Sequence, residues 1–397
     1  MISCIIPFGF KGIETRRYKT VDCNMTNDRD MIRFDNFKAQ YAHIREEIDT
    51  AVHRVLDSGW FIMGKELESF EKEFAQYIGC NYCVGVGNGT DAITLSLMAL
   101  GIGRGDEVIT PNMTAFPTIS GVMKSGATPV VTDICFEDGL MDVTKIAAKI
   151  NGNTKAILPV HLYGQSCDMD PICDLARQYG LHVVEDCAQS VGATYKTKKT
   201  GAIGEIGAFS FYPTKNLGAY GDAGAVLTND ETIYSKLLGL RNYGQRVRYY
   251  HDEFGFNSRL DEIQAAILKV KLKYLDGWNE KRRCLAASYR EKLHTVSCLQ
   301  ENSYGLPVYH LFVIKTRKRD KLMEYLKSRN IQTLIHYPVP INKQKGFGFQ
   351  ADESFPGTTR FAEEILSIPI YPELTDENLE RTANEINTFC AGNYQHE

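Results

Sequence analysis

The chain has 397 residues, 43% of them apolar and 24% charged, with a formal net charge of −4. That length allows one large core plus a smaller domain, and the composition is that of an ordinary globular protein. The slight negative charge and the lack of basic runs speak against nucleic-acid binding, and no stretch approaches the roughly 20 apolar residues of a membrane span.

Residues 1–30 mix polar and charged side chains without period, and Asn24-Met25-Thr26-Asn27-Asp28 reads as linker. This segment is expected to be a poorly ordered extension, with Met31 as a plausible natural start. Its apolar run, Ile5-Ile6-Pro7-Phe8, is too short for a secretory signal and lacks a basic flank and a cleavage site. Patterned sequence begins near Met31. Ile44, Ile48, Val52 and Leu56 recur at helical spacing and predict a helix over 40–56, and Leu67, Phe70, Phe74 and Tyr77 predict another over 65–77.

Short β-prone runs follow at 82–86, 107–110, 128–132, 156–161, 182–185, 208–212 and 223–228. Helical stretches such as 91–100, 169–179 and 231–240 separate most of them. Strands alternating with helical crossovers predict an α/β fold with a mostly parallel, seven-stranded, doubly wound sheet. The last two strands are so close in the chain that one of them is a candidate to run antiparallel. A long helix is predicted over 259–279, and strand, helix and strand at 310–315, 321–328 and 332–336 form an α+β coda. The predicted organisation is a large α/β domain over 31–275 and a small C-terminal α+β domain over 276–397. The helix within 31–58 is a candidate to pack on the small domain.

Eleven cysteines are scattered along the chain. Cys80 and Cys83 form an isolated C-x-x-C with no second pair and no histidines at i, i+4, so no metal site is expected. Reduced thiols of a cytoplasmic protein are the expectation.

The most informative segment is Ala208-Phe209-Ser210-Phe211-Tyr212-Pro213-Thr214-Lys215-Asn216-Leu217-Gly218, a β-prone run ending in a turn with one lysine. Upstream, His182-Val183-Val184-Glu185 runs into Asp186-Cys187-Ala188-Gln189-Ser190. A lone lysine after a strand is ordinarily a solvated loop residue, and an aspartate there is ordinarily a helix cap. One lysine and one carboxylate at the ends of neighbouring buried strands instead suit pyridoxal 5′-phosphate. The lysine would form an imine with the aldehyde, and the carboxylate would keep the pyridine nitrogen protonated. Gly87-Asn88-Gly89-Thr90-Asp91-Ala92, between the first strand and a helix, offers free amides and a hydroxyl for a phosphate. All three elements lie at strand carboxyl ends, where open α/β sheets bind ligands.

Gly89-Thr90-Asp91-Ala92, Pro159-Val160-His161-Leu162-Tyr163-Gly164, Glu185-Asp186-Cys187-Ala188-Gln189-Ser190 and Phe211-Tyr212-Pro213-Thr214-Lys215-Asn216-Leu217 together resemble the DegT/DnrJ/EryC1/StrS nucleotide-sugar aminotransferases. Phe256-Asn257-Ser258-Arg259-Leu260-Asp261-Glu262-Ile263-Gln264-Ala265-Ala266 adds a further block, so that the resemblance covers roughly residues 31–390. It implies a fold-type I pyridoxal phosphate enzyme, a homodimer with shared active sites, taking a nucleotide-linked keto-deoxy sugar (dTDP- or UDP-, ketone at C3 or C4) and L-glutamate. Matched to the family motifs, Lys215 is the Schiff-base lysine and Asp186 the partner of the pyridine nitrogen. Gln189 lies beside the phenolic oxygen, and Gly89, Thr90 and Ser210 bind phosphate. Asn257 would reach the phosphate from the other subunit.

Tyr163, Arg248, Tyr249, His310 and His336 are candidates for the sugar-nucleotide pocket. For Arg248 and Tyr249 a solvated loop is an equal reading, and for the histidines a packed structural role is. In Thr114-Ala115-Phe116 an alanine stands where many relatives place an aromatic over the cofactor ring, so either Phe116 substitutes or that ring face is more open. Two rival readings are a sugar dehydratase, whose relatives replace the lysine by histidine, and a non-catalytic regulator. The presence of both Lys215 and Asp186 argues against each.

Overall fold

The computed structural model describes residues 30–348 and 354–392. The predicted extension over 1–30 therefore lies outside the described residues except for Asp30.

Helices α1 (Phe37–Ser58) and α2 (Lys65–Ile78) precede β1 (Tyr82–Val86), α3 (Gly89–Ala99), β2 (Glu107–Pro111), α4 (Phe116–Ser125) and β3 (Thr128–Thr132). Next come β4 (Thr154–Ile157), α5 (Met169–Tyr179), β5 (His182–Asp186) and a small hairpin of β6 (Thr194–Tyr195) and β7 (Lys198–Lys199). The large sheet is completed by β8 (Ile206–Ser210) and β9 (Gly224–Thr228), after which α6 (Glu231–Leu240) leads to a second hairpin, β10 (Gln245–Val247) and β11 (Tyr250–His251). The chain then builds α7 (Glu262–Leu272), α8 (Leu275–Lys292), β12 (Ser297–Cys298), β13 (Phe312–Lys315), α9 (Arg319–Ser328), α10 (Pro356–Glu364), β14 (Ile365–Ile368) and α11 (Asp376–Ala391).

Seven strands form one sheet in the order β1-β9-β8-β5-β4-β2-β3. The pairs β2–β3, β2–β4, β4–β5 and β5–β8 are parallel, and β9 runs antiparallel to both β8 and β1. The antiparallel member is thus the later of the two closely spaced strands. Parallel neighbours are usually joined through a crossover helix, whereas the β8–β9 connection over 211–223 is taken up by turns and holds no helix. Side chains alternate between two apolar layers, as a period of two requires. Val84, Ala208 and Val226 face one layer, whereas Cys83, Phe209, Ala225 and Leu227 face the other with Phe70 and Phe74 of α2.

A separate core, with Tyr289, Phe312, Ile314, Leu322, Leu326, Leu366, Ile368 and Ile386, supports the three-stranded sheet β12-β13-β14. Helix α1 packs on α7, with Ile44, Ile48, Ala51 and Val55 against Ala266, Ile267 and Val270. The residues just before α1 belong elsewhere: Ile32 pairs with Ile331, and the Phe34 amide donates to Gln332 Oε1.

Three sequence expectations are corrected. The single helix over 259–279 is two helices, α7 and α8, separated at Lys273 and Tyr274. The break redirects the chain from the α1–α7 layer to the core that holds Leu285 and Tyr289. The strand over 156–161 stops at Ile157, because Pro159 has no amide to donate and the chain then enters a tight turn at Leu162–Gly164. The strand over 332–336 reduces to one bridge, Leu334 to Ser367.

Helix α2 begins at Gly64, which offers no side-chain cap. The cap comes instead from the first residue of α7. Glu262 accepts hydrogen bonds from the amides of Gly64 (2.8 Å), Glu66 (2.9 Å) and Leu67 (3.0 Å) and is buried. A carboxylate at a helix N-terminus meets both the orphan donors and the positive end of the dipole. Glu262→Ala is expected to lower folding stability by about 2–3 kcal/mol, with Glu262→Gln intermediate, read as the shift in denaturant midpoint.

Candidate active site

Asp186 is the last residue of β5, and β8 lies beside it in parallel with Ala208 opposite Asp186. Strand direction therefore brings Asp186 and the turn after β8 to the same edge. The Asp186 carboxylate is buried and held from two sides. Its Oδ1 accepts from the Ala188 amide at 3.0 Å, and its Oδ2 from Thr118 Oγ1 at 2.8 Å. Thr118 is in turn 2.8 Å from Thr114 Oγ1. A hydroxyl carries one proton, so with Thr118 donating to Asp186, Thr114 donates to Thr118. Burial raises the Asp186 pKa, while the Ala188 amide, Thr118 and Lys215 work against that rise.

Lys215 is half-buried in a turn closed by its own amide on Tyr212 O (2.8 Å). The far side of the turn is held by Lys271, whose Nζ donates to Gly218 O at 2.6 Å. Desolvation pushes the Lys215 pKa down to about 8, although Asp186 opposes it. Its Nζ is 3.4 Å from His310 Nε2. Asn216, next in the chain, joins His310, Asn279 and Val308 through its amide.

At the start of α3, Asn88 caps the helix by accepting from the Asp91 amide at 2.8 Å. The amides of Gly89 and Thr90 precede the first intrahelical bond and so point outward as donors. Gly89 lies against Ser210 at the end of β8, where an added Cβ would come within 2.6 Å of Ser210 Cβ. Only glycine permits that approach. Ser258, next to Asn257, ties the loop from behind: it accepts from the Gly87 amide (3.0 Å) and donates to Asp91 Oδ2 (2.6 Å). Asn257 itself is exposed and paired with Asn242.

Gln189 is buried between two tyrosines. Its Oε1 accepts from the Tyr163 amide at 2.7 Å, and its Nε2 donates to Tyr337 Oη at 3.1 Å. Tyr163 Oη donates to the His336 carbonyl, and His336 Nδ1 is 2.9 Å from Ser367 Oγ. Burial, with a smaller contribution from Lys215, pushes the His336 pKa down to about 4. Tyr163, Gln189, His336 and Tyr337 thus form one connected wall.

Arg248 and Tyr249 are not part of it. They sit in the exposed β10–β11 hairpin, the guanidinium 5.0 Å from the Tyr249 ring centre. Among the described residues no contact joins that hairpin to Lys215. Phe116 opens α4 and packs with Ile119, Val131, Ile341, Phe347 and Phe355. Its ring is committed to that cluster, and Ala115 stands at the helix cap.

Behind Asp186, Glu185 accepts from the amides of Gly201, Ile203 and Gly204 and lies 2.9 Å from His161 Nε2. With Cys187 these residues cluster closely enough for a metal ion, yet both carboxylate oxygens already face protein donors. Sequence reasoning missed Thr118, whereas Tyr337 belongs to the His336-Tyr337 pair at a family motif position. The spacing Thr114-x-x-x-Thr118 was the available signal for Thr118.

Residues 42–387 match the model of the DegT/DnrJ/EryC1/StrS aminotransferase family. The chain belongs to the DegT/DnrJ/EryC1/StrS aminotransferase family. Members of that family depend on pyridoxal phosphate. The chain is 45% identical over 364 residues to the dTDP-3-amino-3,6-dideoxy-α-D-galactopyranose transaminase of Aneurinibacillus thermoaerophilus, covering 90% of this chain and 99% of that one. It is 43% identical over 359 residues to a UDP-N-acetyl-3-dehydro-α-D-glucosamine 3-aminotransferase of Acidithiobacillus ferrooxidans, covering 90% and 97%. The crystal structure of S. venezuelae DesV in complex with a ketimine intermediate aligns with a TM-score of 0.89 at 43% identity, over 91% of this chain and 99% of that one. The fold is therefore that of an α/β, fold-type I transferase.

The donor set fits the family's cofactor. Two outward amides and Ser210 meet where Gly89 approaches Ser210 too closely for a Cβ, a donor set suited to an anion. A buried carboxylate and a lysine of depressed pKa lie at the next strand ends. Neutral amine is the reactive form, so acylation of Lys215 by a trace of acetic anhydride is expected to rise with pH through a midpoint of about 8, not the roughly 10.4 of a free lysine. Mass spectrometry of the peptide carrying Lys215 reads that midpoint. Thr118→Val leaves one Asp186 oxygen without its donor, and cofactor affinity is expected to fall about tenfold, measured by titrating the cofactor-free protein.

Proposed function

We propose that the protein transfers an amino group from L-glutamate to C3 of a nucleotide-linked keto-deoxy sugar, dTDP- or UDP-linked, forming an amino sugar nucleotide. The observation that carries this reading is the convergence of Lys215, Asp186 and the α3 amides at one edge of the sheet. The C3 assignment is supported by the relatives, whose names place the nitrogen there. The retained lysine favours amino transfer over a dehydratase or a silent homologue.

In this reading Gly89, Thr90 and Ser210 hold the phosphate, Gln189 flanks the phenolic oxygen, and Asp186 keeps the ring nitrogen protonated. Bound pyridoxal phosphate supplies an electron sink for the carbanion left when the donor loses its α-proton. Lys215 supplies the base. Its Nζ, neutral in an appreciable fraction near pH 8, takes the proton from the donor's α-carbon. In the second half it delivers a proton to the sugar carbon that acquires nitrogen. Thr118, through Asp186, keeps that carboxylate pointed into the site.

The reading includes a homodimer in the cytoplasm. Asn257 is exposed within one chain, where a phosphate ligand would be expected to be shielded. Trp60, Tyr249, Tyr250 and Phe254 are each more than 60% exposed, an apolar surface suited to a second copy. Across such an interface Arg248 and Tyr249 are candidates for the sugar diphosphate. All nine described cysteines are unpaired, as a reducing compartment requires.

The deciding experiment is an absorbance titration. Loaded with pyridoxal phosphate, the wild type is expected to lose the visible band of the lysine-bound cofactor on adding L-glutamate and to gain that of the aminated cofactor. Lys215→Ala should lose more than about a thousandfold in rate. A loaded protein that glutamate leaves unchanged would refute the donor, and a protein that forms no lysine-bound band would refute the reading.

A further inference from the structure

His310 presents an unusually well-determined proton arrangement. The Val308 carbonyl oxygen can only accept, so the Asn216 atom 2.9 Å from it is the amide nitrogen. The same nitrogen donates its other hydrogen to Asn279 Oδ1 at 2.8 Å. Asn279 is itself oriented by its Nδ2, which donates to the Val191 carbonyl at 3.1 Å. Asn216 Oδ1 is therefore the atom facing His310 Nδ1, at 3.2 Å. An acceptor facing Nδ1 demands that Nδ1 carry the hydrogen. Burial of the ring, with smaller contributions from the cations of Lys215 and Arg282 and from His336, holds its pKa well below the ordinary histidine value. The ring is neutral, and with Nδ1 protonated, Nε2 has a lone pair. That lone pair faces Lys215 Nζ at 3.4 Å.

We propose that His310 is a fixed hydrogen-bond acceptor for the free Lys215 amine, set in its Nδ1–H tautomer by Asn216. This rests on the reading of Lys215 as the proton-transferring base. During turnover the lysine is released and must be kept near the carbon it serves. An acceptor that never titrates can steer one N–H of the ammonium without taking its proton. The backbone that carries His310 is fixed as well: Arg282 donates to the carbonyls of Tyr309 (3.1 Å), His310 (3.4 Å) and Ile370 (2.8 Å). Among charged groups, Asp186 faces Lys215, while Asp35 and Glu373 act on Arg282. None of the groups around His310 competes for the Nδ1 hydrogen.

Two measurements on the full chain without added cofactor test this. In histidine-selective ¹⁵N spectra, with the His310 signals assigned through His310→Gln, the Nδ1–H tautomer is expected to persist without protonation through the pH range, centred at about 6.5, in which an ordinary histidine takes up its proton. Acylation of Lys215 is then followed against pH. Removing the acceptor in His310→Leu makes the ammonium less favourable, so its midpoint should fall by about one pH unit. His310→Gln, whose carbonyl oxygen can take the place of Nε2, should restore most of the shift. A merely packed histidine predicts no difference that Gln reverses. An Nε2–H tautomer, or a midpoint equal in wild type and His310→Leu, would overturn the proposal. Should His310→Leu fail to fold, the wild-type tautomer decides alone. Neither readout uses glutamate or a sugar, so it can fail while the amino-transfer reading stands, and the reverse.

Discussion

Two ionisable groups held out of water at the ends of adjacent parallel strands govern this structure. Asp186 and Lys215 are attracted to one another, yet each is shifted mainly by its own burial: the carboxylate upward, the amine downward to about 8. Burial of a charge is costly unless partners replace water. The Ala188 amide and Thr118 do so for Asp186, and His310 offers a partner to Lys215. Both shifts follow from the sheet topology, since β5 and β8 are neighbours that point the same way and end under cover of the rest of the fold.

The scaffold shows why the strand ends can hold such groups without moving. Directly before Asp186, Glu185 ties the 201–204 turn to β5 through three amides and reaches His161 on the neighbouring segment. His161 Nδ1 in turn accepts from the Cys167 amide at 3.1 Å. The Glu185 carboxylate faces inward as an anchor and that of Asp186 faces the site, a division that the alternation of side chains along a strand produces without further device. Three potential metal ligands, Glu185, His161 and Cys187, meet in this anchor, and hydrogen bonding accounts for the arrangement of the first two.

Much of this was legible in the sequence, and the exceptions share a cause. The seven strands of the large sheet were each signalled by a short β-prone run, because a sheet covered on both faces needs nearly continuous apolar strands. Lys215 and Asp186 stood out because one of the two runs ends in carboxylates and the other leads into a turn with one lysine. The break between α7 and α8 left no signal: no glycine or proline marks 273–274, and apolar residues continue across it. The run at 332–336 looked like a strand, but among the described residues its bridge pairing is limited to Leu334 with Ser367. Thr118 and Tyr337 reach the site only through partners 68 and 148 residues away. Their roles are consequences of folding, of which the Thr114-x-x-x-Thr118 spacing is the one local trace.

The long-range contacts also explain why Lys215 depends on a region remote in the chain. Lys215 and Asn216 leave β8 of the large sheet, whereas His310 arrives on the segment leading into β13, whose core is the separate cluster around Tyr289 and Phe312. Arg282, on α8, fastens three carbonyls of that core, and its own pKa is pushed down to about 10 by burial. A guanidinium has a fixed planar fork, so the carbonyls it holds cannot drift independently. The angle between the α8 axis and the 308–310 segment is thereby transmitted to the His310 ring and, across 3.4 Å, to Lys215. Placement of the Lys215 amine is thus a property of the whole C-terminal core. A substitution that loosens packing around Tyr289 should be felt at Lys215 before any residue of the strand that bears it is disturbed.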